Sequence, residues 1–221
     1  MTCGKSRNYG DACAMAHALE LVGERWSLIV VRELMFGPRR FSELRQELPL
    51  ISANTLTQRL EGLTSIGVVA RRLLPSPANV HVYELTEWGL AIEPVLLELG
   101  RWAVRSPLHD PTLAFSGVSL ALSLRAMFDA GSCGSRAMDV SLKIGRERYV
   151  ATIRARRLRV TRSPEDSSRV EFAGTAEALA RLIYAIEPAD LIWQTGQVTM
   201  TGDRSMGEAF LSCFPDLGLK K

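Results

Sequence analysis

Apolar residues recur at helical spacing through most of the first hundred positions, and the breaks between them fall at glycine and proline. In CAMAHALELVG, from Cys13, Ala16, Leu19 and Leu21 lie near one face, and Gly23 supplies a helix C-cap. ERWSLIVVRELMFG is apolar on most sides, which predicts a helix buried centrally in its domain. Gly37-Pro38 stops it, since proline cannot continue the hydrogen-bond ladder. RRFSELRQELP predicts a short helix with Ser42 as N-cap and Pro49 closing it. A longer helix follows, capped by Ser52 and ended by Gly67.

After Gly67 the period shortens. VVARRLL and VHVYELT are β-prone runs separated by PSPAN, the pattern of a hairpin. EWGLAIEPVLLELGRWAV then predicts a helix kinked at Pro94, with Trp88, Ile92, Val95, Leu99 and Trp102 along one stripe. That stripe suits a partner surface and packing within one subunit equally well. Helix, helix, short helix, helix, hairpin, helix is the order of a winged helix-turn-helix.

SPLHDP, near residue 106, reads as a linker and divides the chain into residues 1–106 and 107–221. Beyond it, VSLALSLRAMFDA predicts a helix, and DVSLKIG, RYVATIR, RLRVTR and RVEFAG predict short strands. AEALARLIYAIE is helical, DLIWQTG and QVTMTGD continue the strand pattern, and MGEAFLSCF closes as a helix. Turn signals at Thr195-Gly196 and Gly202-Asp203 fit a meander. The fold class expected is α+β throughout, with a winged helix-turn-helix domain ahead of a second α+β domain.

The helix from Ser52 carries the clearest chemistry. Leu56, Leu60, Leu63 and Ile66 cluster on one side, while Asn54, Thr57, Gln58 and Glu61 lie opposite, with Thr55 on a flank. A helix kept only for solubility shows Glu and Lys to water. Short side chains that both donate and accept can instead read base edges in a major groove, Asn and Gln being suited to adenine. In helix-turn-helix proteins the first residues of the second helix do that reading. Arg39 and Arg40 before the short helix, and Arg71 and Arg72 on the hairpin, are the candidate phosphate contacts. Arg59 falls near the apolar face, so its stem should pack and its guanidinium should reach a phosphate or a carboxylate. Ser52, Asn54, Thr55, Thr57, Gln58 and Arg59 with the four flanking arginines form the expected interface, and double-stranded DNA is the expected partner.

Composition changes this picture little. The chain has 221 residues, 47% of them hydrophobic and 23% charged, and a net charge of +3 that does not by itself announce nucleic acid. Cys3, Cys13, Cys133 and Cys213 form no C-x-x-C pair, and with three scattered histidines they offer no zinc spacing. No metal or cofactor is expected. No apolar run approaches the roughly 20 residues that span a membrane, and the start lacks a secretion signal, so a cytoplasmic protein is expected. Catalytic motifs are missing too: there is no G-x-S-x-G elbow, Gly-rich phosphate loop or H-E-x-x-H. His17, His81 and His109 read as structural or surface residues.

The stretch from Cys13 to Trp102 resembles the HxlR family of bacterial transcription regulators. G-E-R-W at Gly23, R-E-L at Arg32, G-P-R-R-F-S-E-L at Gly37 and Y-E-L-T-E-W-G at Tyr83 fall in family order. The resemblance implies a winged-helix homodimer on a pseudo-palindromic operator, with the terminal helices of the domain forming the dimer interface. Some regulators of this family sense electrophiles through a cysteine at the position of Cys13. A functional thiol should be exposed and electropositive, whereas Cys13 opens an apolar helix, and the residues favour an inert, partly buried cysteine.

GQVTMTGDRSMGEAFLSCF resembles the end of sterol carrier protein type-2-like domains. That likeness implies an apolar tunnel for a small apolar ligand, with Leu124, Phe128, Leu182, Ile186, Trp193, Phe210 and Phe214 as candidate lining. Ordinary core packing is the stronger reading of the same residues. The arginines of RARRLRVTR suit an acidic ligand, an extended DNA footprint and a solvated hairpin alike. The functional expectation is a sequence-specific DNA-binding regulator. The alternative is a lipid- or metabolite-binding protein whose winged helix serves dimerisation only.

Overall fold

The structure, a computed structural model, describes residues 9–163, 165 and 168–217, so Cys3 lies outside the described residues. The chain forms two compact units, Met1–Leu96 and Leu97–Lys221. No helix among the described residues is long and apolar enough to cross a membrane.

The first unit runs α1 (Ala14–Val22), α2 (Ser27–Leu34), α3 (Phe41–Glu47), α4 (Ala53–Ser65), β1 (Val69–Leu73), β2 (His81–Leu85) and α5 (Glu87–Leu90), and includes the start of α6 (Glu93–Ala103). Val30, Val31, Leu34, Leu44, Leu56, Leu60 and Leu63 make its core. α2 starts later than its apolar run suggests, because Trp26 takes a left-handed conformation at φ 78° and closes the preceding turn. α3 begins at Phe41 rather than beyond Ser42, with Arg40 at the cap position and the Glu43 carboxylate accepting the Arg40 N–H at 2.6 Å. Gly67, at φ 78°, ends α4 in the left-handed conformation that glycine adopts without strain.

Three residues of the Y-E-L-T-E-W-G run have clear physical tasks. Tyr83 exchanges backbone hydrogen bonds with Arg39 at 2.8 and 2.9 Å, which ties the loop before α3 to the hairpin. Thr86 caps α5 by accepting the Gly89 N–H, and donates its own hydroxyl to the Gly67 carbonyl at 2.7 Å. A Cβ on Gly89 would lie 2.1 Å from the Val68 carbonyl oxygen, so only glycine lets α5 approach the start of β1 this closely. The predicted long helix is in fact two, α5 and α6. Pro94 is the second residue of α6, where its missing N–H leaves no bond unmade, so it marks a helix start and not a kink.

The second unit continues with α7 (Gly117–Met127), α8 (Ala130–Cys133), β3 (Met138–Ile144), β4 (Glu147–Arg154), β5 (Arg157–Arg162), β6 (Val170–Gly174), α9 (Ala176–Ile183), α10 (Ala189–Gln194), β7 (Val198–Gly202) and α11 (Arg204–Leu211). Its five strands lie in the order β5-β4-β3-β6-β7. β3 and β6 run parallel while the other pairs are antiparallel, so the sheet is mixed and the expected simple meander is corrected. DLIWQTG is also corrected, from strand to the helix α10, since a short apolar run does not distinguish the two. Val140, Leu142, Tyr149, Ala151, Ile153 and Phe172 alternate into the core, and α7, α9 and α11 pack on the sheet.

Candidate nucleic-acid interface

α3, a five-residue turn and α4 form the helix-turn-helix, and β1 with β2 forms the hairpin wing behind it. Leu56, Leu60 and Leu63 are buried and fix the rotation of α4. Asn54, Thr57, Gln58 and Glu61 are consequently exposed. Among the described residues, the side chains of Asn54, Thr57 and Gln58 make no hydrogen bond, so their donors and acceptors are free for another molecule. Ser52 and Thr55 are already occupied. The Ser52 hydroxyl accepts the Thr55 N–H at 3.1 Å and lies 2.8 Å from the Thr55 hydroxyl, so both serve the cap.

The flanking arginines divide into three kinds. Arg40 and Arg71 are exposed. Arg72 is exposed as well, but Glu84 across the wing holds its guanidinium with two bonds of 2.8 and 2.9 Å. Those bonds raise the Arg72 pKa and hold the Glu84 carboxyl below the usual carboxylate range. Arg39 is corrected: it is only 5% exposed, with its backbone paired to Tyr83 of the wing, so its side chain is not presented to solvent as a phosphate contact would be. Arg59 takes the carboxylate foreseen for it, with Glu24 at 3.4 Å.

Sequence reasoning missed Leu50. It is 86% exposed in the turn between α3 and α4, while Leu48 and Ile51 beside it are buried. The Arg45 guanidinium donates to the Ile51 carbonyl at 3.1 Å and pins the turn. A leucine two residues ahead of the Ser52 cap, next to the apolar Ile51, was the available signal.

Cys13 is a second correction. It is exposed, and no residue of α1 is buried. The chain's own core leaves the apolar side of α1 uncovered, with Met15 and Leu19 open to solvent. Cys13 sits at the cap position of α1, where the backbone N–H groups of Met15 and Ala16 pull its thiol below the usual pKa. Cys133 and Cys213 are buried, and burial pushes the Cys213 thiol up. Trp88, Leu90 and Val95 are exposed too, as are Leu99 and Trp102 further along α6. Ala18, Leu21, Val22, Trp88, Ala91 and Ile92 line an apolar groove of about 200 Å³.

The seven residues proposed as a tunnel lining belong to the interior of the second unit. Leu124, Leu182, Phe210 and Phe214 are buried, and Phe128, Ile186 and Trp193 are half-buried. Phe214 touches Phe128, Tyr184 and Phe210 edge-on, and Phe172 stacks on Trp193.

A helix-turn-helix with an exposed, unpaired polar face on its second helix and a hairpin carrying Arg71 and Arg72 beside it has the build of a winged helix-turn-helix DNA-binding regulator. Residues 21–109 match the family model described as HxlR-like helix-turn-helix. The transcriptional regulator YodB of Bacillus subtilis is 38% identical over 89 residues, which are 40% of this chain and 80% of YodB. A second B. subtilis regulator, YvaP, is 38% identical over 98 residues, 43% of this chain and 90% of its own length. The solved structure of reduced YodB is 35% identical, covering 45% of this chain and 99% of that one, with a TM-score of 0.42. The chain belongs to the HxlR family of DNA-binding transcriptional regulators.

Proposed function

We propose that the protein binds a pseudo-palindromic operator as a homodimer, reading bases with Asn54, Thr57 and Gln58 and gripping phosphates with Arg40 and Arg71. The observation that carries this is the unpaired polar face of α4, held outward by a fully buried opposite side. Leu50 adds an apolar contact suited to a thymine methyl group. The alternative of a winged helix kept only for dimerisation would leave that face no task.

Homodimerisation is supported by the exposed apolar side chains of α1 and α5 and the groove beside Trp88. A patch of this kind marks an interaction surface. Cys13, exposed at the cap of α1 with a depressed pKa, supports a response to electrophiles at the edge of the same surface. For residues 107–221, the mixed sheet with packed helices supports a sterol-carrier-like accessory domain. An apolar effector there would have to part the Phe128, Phe210 and Phe214 rings, which already touch.

Selection of binding sites from random duplex DNA tests the reading. A palindromic consensus with half-sites about one helical turn apart is expected. Recovery of no consensus would sink it.

A further inference from the structure

The distribution of charge between the two units is uneven. Residues 1–96 hold ten Lys and Arg against ten Asp and Glu, so the unit that carries the reading helix is electrically neutral. Residues 97–221 hold seventeen against fourteen, which is the whole +3 of the chain. Duplex DNA is held largely through its phosphates, and a unit of zero net charge meets them only through local arginines such as Arg40 and Arg71.

The excess concentrates on one hairpin. From Arg148 to Arg162 the sequence has six arginines and no acid. Arg148 is paired with Glu171, Arg154 with Asp139 and Arg162 with Glu147. Arg156 donates to the Ala130 carbonyl at 3.0 Å. Arg157 and Arg159 are exposed and have no side-chain partner among the described residues. Two residues apart on β5, they share one face of an edge strand.

Two features of this hairpin oppose stability. Arg154 lies directly opposite Arg157, a like-charged cross-strand pair. The turn between β4 and β5 places Ala155 and Arg156 at φ 48° and 59°, a conformation usually given to Asn and Gly. Edge protection alone requires neither.

We infer that the β4–β5 hairpin of the second unit is an additional, sequence-independent contact for the phosphates of duplex DNA, made chiefly by Arg157 and Arg159. It rests on the first unit's being DNA-binding, and it assigns the second unit an electrostatic share of affinity added to that of Arg40 and Arg71 in a first unit of zero net charge. Charge complementarity selects the occupant: two unpaired guanidiniums on an exposed strand face fit a regular row of phosphates.

The test uses the full chain, titrated against a long duplex with no operator and against the selected operator, over a range of salt. Arg157→Ser with Arg159→Ser should reduce the magnitude of the log affinity against log salt slope by about 2 per chain. Affinity for both duplexes should fall together, by about tenfold or more near 0.1 M salt, with the ratio between them unchanged. Arg157→Lys with Arg159→Lys should keep most of the slope and guards against a folding defect in the serine variant. An unchanged slope in the folded serine variant would overturn the inference. So would loss of binding to anionic lipid vesicles or to an acidic protein with DNA binding intact, since the occupant would then be another polyanion. Wild-type protein that bound duplex with a normal slope but no sequence preference would sink the operator reading and leave the hairpin contact standing. Failure of the wild type to bind any duplex would end both.

Discussion

Gln58 and Leu50 differ in what their removal should do, although both are exposed on the helix-turn-helix. Gln58→Ala removes a bidentate donor and acceptor, and should cost about 1–3 kcal/mol at the preferred site while relaxing base preference there. Leu50→Ala should cost less, and should abolish the protein's sensitivity to replacing an operator thymine with uracil, which removes only the methyl group. Equal sensitivity in wild type and variant would remove Leu50 from the interface. On the wing, Glu84→Gln should free the Arg72 guanidinium and steepen the salt dependence by up to about one phosphate contact. Because the Glu84 carboxyl is depressed by Arg72, the pair is intact above the usual carboxylate range and is lost only as pH falls through the lowered value. Acidification should therefore mimic Glu84→Gln only well below neutral pH. Alkylation should find Cys13 well before Cys133 or Cys213, measured in a Cys3→Ser background, since its thiolate is favoured and open while theirs are buried. The polar face of α4 was legible from spacing alone. The burial of Arg39 was not, because it depends on Tyr83, a residue 44 positions away that no local pattern links to it.

At the scale of elements, the strongly periodic helices and the wing were readable, and the errors share one cause. DLIWQTG and the break before Pro94 were settled by tertiary packing that short apolar runs do not encode. β6 pairs with β3 in parallel, across a long connection, and no turn signal announces such a pairing. Two substitutions test the reading of local geometry. Ala155→Asn should stabilise the second unit by about 0.5–1 kcal/mol, because asparagine tolerates the left-handed conformation that alanine resists. Gly89→Ala should cost about 1–3 kcal/mol or more, since its methyl group would meet the Val68 carbonyl. Thermal denaturation reads both, and an Ala155→Asn midpoint below wild type would show the turn to be relaxed.

For the whole molecule, the sequence indicated two domains and flagged the arginines of RARRLRVTR, but not which of them lack a partner among the described residues. A fragment of residues 1–106 should fold and keep the operator preference of the full chain. It should also show a shallower salt dependence than the full chain, because the β4–β5 arginines are gone. Titration of both proteins at several salt concentrations separates the two effects. A fragment that lost preference while remaining folded would make the second unit part of base recognition.

The close approach of α5 to β1 has a consequence for how any signal at the apolar surface would travel. Gly89 against the Val68 carbonyl and Thr86 bonded to Gly67 weld the base of the wing to the helix that carries Trp88. A disturbance at Trp88 is therefore expected to turn the wing and α4 together as one lever. In a dimer the quantity that changes is then the angular phase between two levers, not the shape of either. Each base pair inserted between half-sites rotates one against the other by about 34°. Modification of the protein and insertion into the operator should thus be interchangeable perturbations, and a spacer of altered length should rescue a modified protein that has lost its native operator.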